Sequence, residues 1–446
     1  MNVLVVGKGK SGKAAFSLLK KQGVNVLFAD EKIVNADKTE SLKIDYDRLL
    51  HGLSFIVTSP GISLDLPFFK EVRKRKIKLV GELELGAVLC KGKIIAITGT
   101  NGKTTTVSLI HHLLGGLKQN VFLGGNIGIP ICMFVEKTQP NDIVVLECSS
   151  YQLESVEKFK PHIAAILNVT EDHLTRHKTM KKYLKAKLKI AKNLTENDYL
   201  IINADDEFLM QNLPKTDAKI FFFSTKNKVV GCYKERNCIY FNDNLNKIRL
   251  LSLRDVKLVG EHNVSNVLCA VLAVFLLIKN KKCFEKIKTF YGVEHRIEYI
   301  KTIKNVSFYN DSKATNIDST IVALKSFNCK INLILGGSDK GFGFDKLFEN
   351  LPKNVKNIAI FGQTKRKIAF FAEKHGYKNY VVCETFKAAV LNCYEKAKAN
   401  EIVLLSPACA SFDMFKNFEE RGSVFKKIVE EIFQNETANF ESSKKT

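Results

Sequence analysis

The chain has 446 residues, of which 45% are hydrophobic and 26% charged, with a net charge of +23. This length predicts two or three domains, and the composition excludes a disordered chain. The basic excess is lysine, 59 against ten arginines. It reads as solvated lysine faces whose field also suits an acidic, phosphorylated substrate, and no nucleic-acid partner is expected.

Eleven cysteines without a C-x-x-C pair predict a reduced, cytoplasmic protein. The opening "MNVLVVG" is already a strand, so no signal peptide is expected. The longest apolar run, "VLCAVLAVFLLI" (267–278), is too short to span a bilayer and predicts a buried helix, so no membrane association is expected.

Residues 1–30 read strand, glycine turn, helix, strand, with G-x-G-x-x-G at Gly7, Gly9 and Gly12 and an acid at Asp30. A dinucleotide fits this Rossmann-like unit, as does any pyrophosphate seated at the helix N-terminus. "FIVTS" leads into a second tight turn, "PGIS" (60–63), and "KGK" (91–93) marks a boundary. The strand "IIAIT" then delivers "GTNGKTTT", a phosphate loop shortened at its start, because Ile97 stands where a standard P-loop has glycine. Gly99 and Gly102 supply backbone freedom, Lys103 a charge for terminal phosphates, and Thr104 a hydroxyl for Mg²⁺.

Glu147 ends the next apolar strand, beside that loop, and reads as a metal ligand. His173 lies in a polar turn of "NVTEDHLTRH", and a lone histidine there reads more often as structural than as a ligand. In the helix that follows, Lys187 shares a stripe with Leu184, Leu188 and Ala191. Two readings stand for Lys187: burial, which favours the neutral amine, or snorkelling to water. Residues 219–259 read as an antiparallel insertion, and "GEHNVSN" opens the apolar helix ending near Lys279.

From about 291 the strand–helix alternation restarts. "YNDSKATN" places Asp311 and Lys313 at a strand end, with Thr315 and Asp318 as an expected capping box. "LGGSDKGFGF" and "SPACASFDMFKNF" are two further strand-end loops carrying Lys340, Ser411 and Phe412, a pocket suited to a small anion. The last dozen residues are polar and predicted to fray.

Taken in order, "GTNGKTT", "ECSSYQLE", "NVTEDH", the Lys187 helix, "GEHNVSN", "EHR" and "NDSKATN" resemble the successive signatures of the Mur ligase family over nearly the whole length. The resemblance implies an α/β protein of three domains. Residues 1–90 form a Rossmann-like UDP-substrate domain, 91–290 a central P-loop ATPase-like domain with the antiparallel insertion, and 291–446 a Rossmann-like amino-acid domain. It implies an ATP-dependent amide ligase of cytoplasmic peptidoglycan precursor synthesis. The final loop, "SPACASFDMFKNFEERG", together with "NDSKATN" resembles the member that joins D-glutamate to UDP-N-acetylmuramoyl-L-alanine, and a monomer is expected.

The site roles follow from the same resemblance. Gly99, Thr100, Asn101, Gly102, Lys103, Thr104 and Thr105 bind the ATP phosphates, with Asn263 and Asn266 near adenine and Arg296 and Asp311 at phosphate and ribose. Thr104 and Glu147 hold one Mg²⁺, and His173 with a carbamylated Lys187 serves a second. Lys103, His173, Lys187 and Lys313 are the catalytic group. Lys10, Ser11, Asp30, Glu31, Ser59, Pro60 and Gly61 fall where the uridine nucleotide docks, so the first glycine motif need not mean NAD. Asn126 lies near nucleotide and substrate, and Thr315, Lys340, Ser411, Phe412 and Phe418 form the D-glutamate site. The third domain is expected to close over the other two.

Two departures stand out. Ser338-Asp339-Lys340 shifts a familiar carboxylate by one place, and Phe412 replaces a familiar leucine. A folylpolyglutamate-type ligase, an NAD-dependent dehydrogenase and a non-enzymatic ATP switch are the rival readings.

Overall fold

The computed structural model describes residues 1–29, 49–341 and 343–443, with side chains described up to 438. Asp30 and Glu31, two of the expected substrate residues, lie outside them. The chain is α/β and divides into two compact units, residues 1–256 with 262–288, and residues 257–261 with 289–446.

The first unit holds two sheets. β1 (Asn2–Val6), β2 (Asn25–Ala29), β3 (Phe55–Thr58) and β4 (Lys78–Gly81) pair in the order β2-β1-β3-β4, all parallel. The order reverses between β1 and β3, the crevice where open α/β sheets bind ligands. Gly7 and Gly12 shape that crevice. A Cβ on Gly12 would lie 1.8 Å from the Gly7 carbonyl oxygen, so only glycine lets the helix Lys10–Lys21 start this close to β1.

The second sheet comprises β5 (Lys93–Thr98), β6 (Val121–Gly125), β7 (Ile143–Glu147), β8 (Ile163–Ile166), β9 (Tyr199–Asn203), β10 (Lys219–Ser224), β11 (Gly231–Glu235), β12 (Cys238–Asn242) and β13 (Lys247–Ser252). Its order is β13-β12-β11-β10-β9-β8-β5-β7-β6. The central strands β5, β7 and β8 are buried almost throughout, which explains their unbroken apolar runs. β5 sits between β7 and β8, so the loop after it opens at another reversal of strand order.

The insertion is antiparallel only in part. β10 pairs parallel to β9 and β11 parallel to β10, and antiparallel pairing begins at β11–β12. Gly231 permits the unexpected parallel contact, because a Cβ there would meet the Phe222 carbonyl oxygen at 1.9 Å. The apolar segment forms a helix, Glu261–Ile278, with residues 267 to 276 all buried.

The second unit holds β14 (Glu298–Ile303), β15 (Val306–Asn310), β16 (Ile331–Gly336), β17 (Val355–Phe361), β18 (Tyr380–Val382) and β19 (Ile402–Leu405). Their order is β14-β15-β19-β16-β17-β18, with only β14 antiparallel to its neighbour. β15, β19 and β16 are therefore adjacent and point the same way, so the three loops carrying the expected amino-acid site leave one edge together. The capping of the first helix in this unit departs from the expected Thr315–Asp318 box. The helix Ile317–Lys325 is capped by Asn316, whose side chain accepts from Ser319 N at 2.8 Å, while Asp318 pairs with Lys346. Asn316 is one residue nearer than Thr315, and its carbonyl reaches the free N–H of the first turn. The final helix runs from Phe418 to Ser443, so the described part of the polar tail, residues 435–443, is helical.

Candidate active site

In the first unit the phosphate loop leaves β5 and enters the helix Lys103–Leu114, with Gly99 at φ +155° and Gly102 at φ +84°. A side chain on Gly102 would strike Asn266 Oδ1 at 2.1 Å, so the start of the apolar helix lies directly against the loop. Asn266 in turn donates to Asn263 Oδ1 at 3.0 Å, and both are buried. Asn168, two residues beyond β8, accepts from Asn101 N and donates to its carbonyl, which clamps the loop from the other side.

Lys103 Nζ donates to the carbonyls of Gly99 at 2.9 Å and Thr100 at 2.8 Å. Lys187 Nζ donates to the same Gly99 carbonyl at 2.7 Å. Two lysines thus converge on one peptide oxygen. Lys187 is 1% exposed and lies over the Tyr183 ring at 4.4 Å. Burial, helped by the Lys103 charge, pushes its amine down to about 7. The expected stripe is present, because Leu184 and Ala191 are buried beside it and Leu188 is half-buried.

Glu147 ends β7 with both oxygens engaged. Thr104 Oγ1 donates to Oε2 at 2.8 Å and Asn126 Nδ2 to Oε1 at 2.8 Å. Both donors are uncharged, and a carboxylate beside a threonine hydroxyl is a hard oxygen set that fits Mg²⁺. Thr105 is buried in the same helical turn, and the Thr100 hydroxyl lies 3.2 Å from the Tyr183 hydroxyl. His173 precedes the short helix Leu174–His177 with φ +54° and packs against the rings of Tyr151 and Tyr183, at 5.0 and 6.2 Å. Tyr183 therefore touches both His173 and Lys187. Among the described residues no three His, Cys, Asp or Glu side chains converge as a metal cluster.

At the first sheet, Lys10 and Ser11 begin the helix Lys10–Lys21, and Ser59 Oγ donates to the Gly7 carbonyl at 3.1 Å. Pro60 and Gly61 follow in the same turn, closed by Ile62 N donating to Ser59 O.

In the second unit Asp311 is buried, accepting from Ser406 Oγ at 2.8 Å and Ile297 N at 3.2 Å. Desolvation lifts its carboxyl to about 7. The neighbouring backbone is strained, with His295 at φ +64° and Ile297 at φ +44°, the latter a β-branched residue that rarely adopts such a conformation. Arg296 between them is exposed. Lys313 Nζ lies over the Phe418 ring at 5.8 Å, and Lys340 Nζ donates to the Thr315 carbonyl at 3.2 Å. Ser411 is buried, whereas Phe412 is 75% exposed.

The shifted carboxylate has a local consequence. Ser338 Oγ accepts from Asp413 N at 2.8 Å, while Asp339 turns to Lys367 at 3.0 Å. Arg421 binds two of the strand-end loops together, donating to Ser312 Oγ and O and to the carbonyls of Cys409 and Ala410. It is fully buried, and desolvation lowers its guanidinium to about 10.

Sequence reasoning passed over Tyr183, His177, Arg176 and Arg421. Each lies in a quoted motif or in the Lys187 helix, but its partners come from distant segments, so spacing alone gave no signal.

The profile of the Mur ligase middle domain matches residues 97–274, and that of the Mur ligase glutamate ligase domain matches residues 295–409. The UDP-N-acetylmuramoylalanine–D-glutamate ligase of Lachnoclostridium phytofermentans is 41% identical over 441 residues, covering 96% of this chain and 97% of that protein. The enzyme of the same name from Clostridioides difficile is 40% identical, covering 96% and 98%. Among solved structures, the UDP-N-acetylmuramate–alanine ligase of Thermotoga maritima superposes with a TM-score of 0.58 at 19% identity, covering 97% of this chain and 99% of that one. The MurF ligase of Thermotoga maritima in complex with ADP gives 0.56 at 18% identity, covering 96% and 95%. At such identities the structures speak for the fold.

Proposed function

The chain belongs to the Mur ligase family, and on that premise we propose which of its residues carry the family's reaction. It is an ATP-dependent, amide-forming ligase of peptidoglycan precursor synthesis that adds D-glutamate to UDP-N-acetylmuramoyl-L-alanine. We assign residues 1–90 to the UDP-linked substrate, 91–290 to ATP and 291–446 to the amino acid. A cytoplasmic monomer belongs to the same proposal, and sedimentation equilibrium of the purified chain checks its oligomeric state.

The alanyl carboxylate attacks the γ-phosphorus of ATP, an O–P bond forms, and the bond to the β,γ-bridging oxygen breaks to release ADP. The D-glutamate amine then attacks the acyl carbon, the C–O bond to phosphate breaks, and the amine loses a proton. Little of this needs covalent help from the protein, so positioning and charge neutralisation dominate.

Lys103 is assigned to the transferred phosphoryl group and the loop Gly99–Thr105 to the phosphates. Asn263 and Asn266 are assigned to the adenine side, Arg296 and Asp311 to phosphate and ribose, and Lys313 to the reacting groups. Thr104 and Glu147 would hold one Mg²⁺, and His173 with Lys187 a second. Bound there, Mg²⁺ supplies charge neutralisation of the phosphoryl oxygens. Lys187 suits carbamylation because its buried amine is pushed down to about 7. The neutral nitrogen adds to CO₂, an N–C bond forms and a proton leaves, giving a carboxylate-like donor. Thr315, Lys340, Ser411, Phe412 and Phe418 are assigned to D-glutamate.

The observation that carries this reading is the Gly99 carbonyl shared by Lys103 and Lys187, which brings the phosphate-loop lysine and the buried lysine to one point. The test is phosphate release from ATP with UDP-N-acetylmuramoyl-L-alanine, assayed with D-glutamate, L-glutamate, L-alanine and a diamino acid. Release is expected with D-glutamate alone. Release that ignores D-glutamate, or hydride transfer to NAD, refutes the assignment.

A further inference from the structure

We infer that Arg176 is a positioning residue that fastens the substrate-side turn of the first sheet to the His173 turn, so that the UDP-linked substrate and the His173-side metal ion bind with mutual assistance. The inference rests on the functional reading above for the identity of both ligands.

The guanidinium of Arg176 faces three groups at once. Nη2 donates to the Ile62 carbonyl at 3.0 Å and to Glu154 Oε2 at 2.6 Å, and Nε donates to Glu154 Oε1 at 3.4 Å. Its flat face covers the Tyr151 ring at 5.3 Å. A planar fork suits this combination of bidentate pairing, a separate carbonyl and ring stacking, whereas an ammonium does not. Arg176 and Glu154 side chains are only 15% and 20% exposed, so salt screens the pair weakly.

Ile62 closes the turn that contains Ser59, Pro60 and Gly61. One end of this turn is held at Gly7 through the Ser59 hydroxyl, and the other is held at the Ile62 carbonyl by Arg176, which comes from the helix Leu174–His177, 114 positions further along the chain. On its own side Arg176 is bound to the metal-side turn, because the amides of Arg176 and His177 both donate to the His173 carbonyl at 3.0 Å. Glu154 is braced further by His177 Nδ1 at 3.4 Å, and Lys189 Nζ donates to its carbonyl at 2.5 Å. Tyr151, under the guanidinium, also touches His173. Glu154 and Tyr151 come from the helix Ser150–Glu154, which starts three residues after Glu147. A displacement of either turn is thus resisted by the other through one side chain. Coupling of this kind is reciprocal, so each ligand should raise the affinity for the other equally.

The test uses the full chain with Mn²⁺ as the metal probe, its binding read by electron paramagnetic resonance with and without saturating UDP-N-acetylmuramoyl-L-alanine. In the parent protein the substrate should tighten Mn²⁺ by about ten-fold. In Arg176→Lys the tightening should fall below about two-fold while the melting temperature stays within about 3 °C. A merely structural ion pair would lower the melting temperature and leave the tightening intact. The inference is overturned if Arg176→Lys couples like the parent, or if the parent shows no coupling. Should Arg176→Lys fail to fold, hydrogen exchange on the parent decides, since Mn²⁺ alone should slow exchange of the Ile62 amide, and unchanged exchange overturns the inference. Failure of the parent to bind the UDP-linked substrate would instead strike the functional reading, and the Mn²⁺-dependent exchange at Ile62 would still judge the coupling.

Discussion

At Lys187 a side chain that is a solvated ammonium over most of this lysine-rich chain ends 1% exposed, with its nitrogen 2.7 Å from a backbone carbonyl. The helical stripe allowed either burial or snorkelling, and only the packing of Tyr183 and the Gly99 loop around it decided for burial. Because burial holds the amine at about 7 when folded against 10.5 in the open chain, the uncarbamylated protein is penalised fully below pH 7, and the penalty vanishes above pH 10.5. Carbamylation follows the neutral amine, so activity should fall as pH drops below 7 and recover with added bicarbonate in CO₂-depleted buffer. Lys187→Ala should lose at least about a hundred-fold in activity. Near-normal activity of that variant, with indifference to bicarbonate, would remove carbamylation from the mechanism.

The helix Glu82–Leu89 shows what an element needs beyond its pattern. Its sequence, "ELELGAVL", carries two acids in the first turn, where a helix N-terminus favours negative charge. Both are buried. Glu82 accepts from Cys132 N at 2.8 Å and is lifted to about 7 by desolvation. Glu84 accepts three backbone N–H groups, from Glu157, Lys158 and Phe159, at 2.7 to 3.0 Å. That cluster fastens the end of the first sheet to the turn following the helix Ser150–Glu154. Glu84→Gln keeps the shape but replaces an acceptor-only carboxylate with a half-donor amide, so about 2–4 kcal/mol of stability should be lost. Urea unfolding measures it, and a change under about 0.5 kcal/mol would deny the cluster this role. A comparable knot in the second unit is Arg421, which satisfies three carbonyls and a hydroxyl of two strand-end loops.

Over the whole molecule the same rule repeats in three sheets, with candidate site residues at the carboxyl ends of parallel strands. A net charge of +23 is set against substrates that carry pyrophosphate, triphosphate and carboxylate groups. Such a field raises encounter rates of anions and is screened by salt. Raising ionic strength from about 0.05 to about 0.5 M should therefore lower kcat/KM for UDP-N-acetylmuramoyl-L-alanine several-fold, with less effect on kcat. Steady-state kinetics across a salt series checks this, and a flat kcat/KM would mean that the lysine faces lie away from the approach path.

The sequence by itself determined the α/β class, the glycine turns and the phosphate loop, because these depend on local periodicity and on residues that tolerate special backbone angles. It also marked Glu147, His173 and Lys187 as candidates, since each follows an apolar strand or stripe. It misjudged the cap at Asn316 and the pairing of β10 and β11, where neighbours a few residues or a whole strand away set the outcome. The tertiary structure alone decided that Lys187 is buried, that Thr104 and Asn126 meet on Glu147, and that Arg176 and Arg421 tie separate segments together. Those are contacts between residues tens to a hundred positions apart, and no spacing along a chain encodes which distant carbonyl a buried guanidinium will reach.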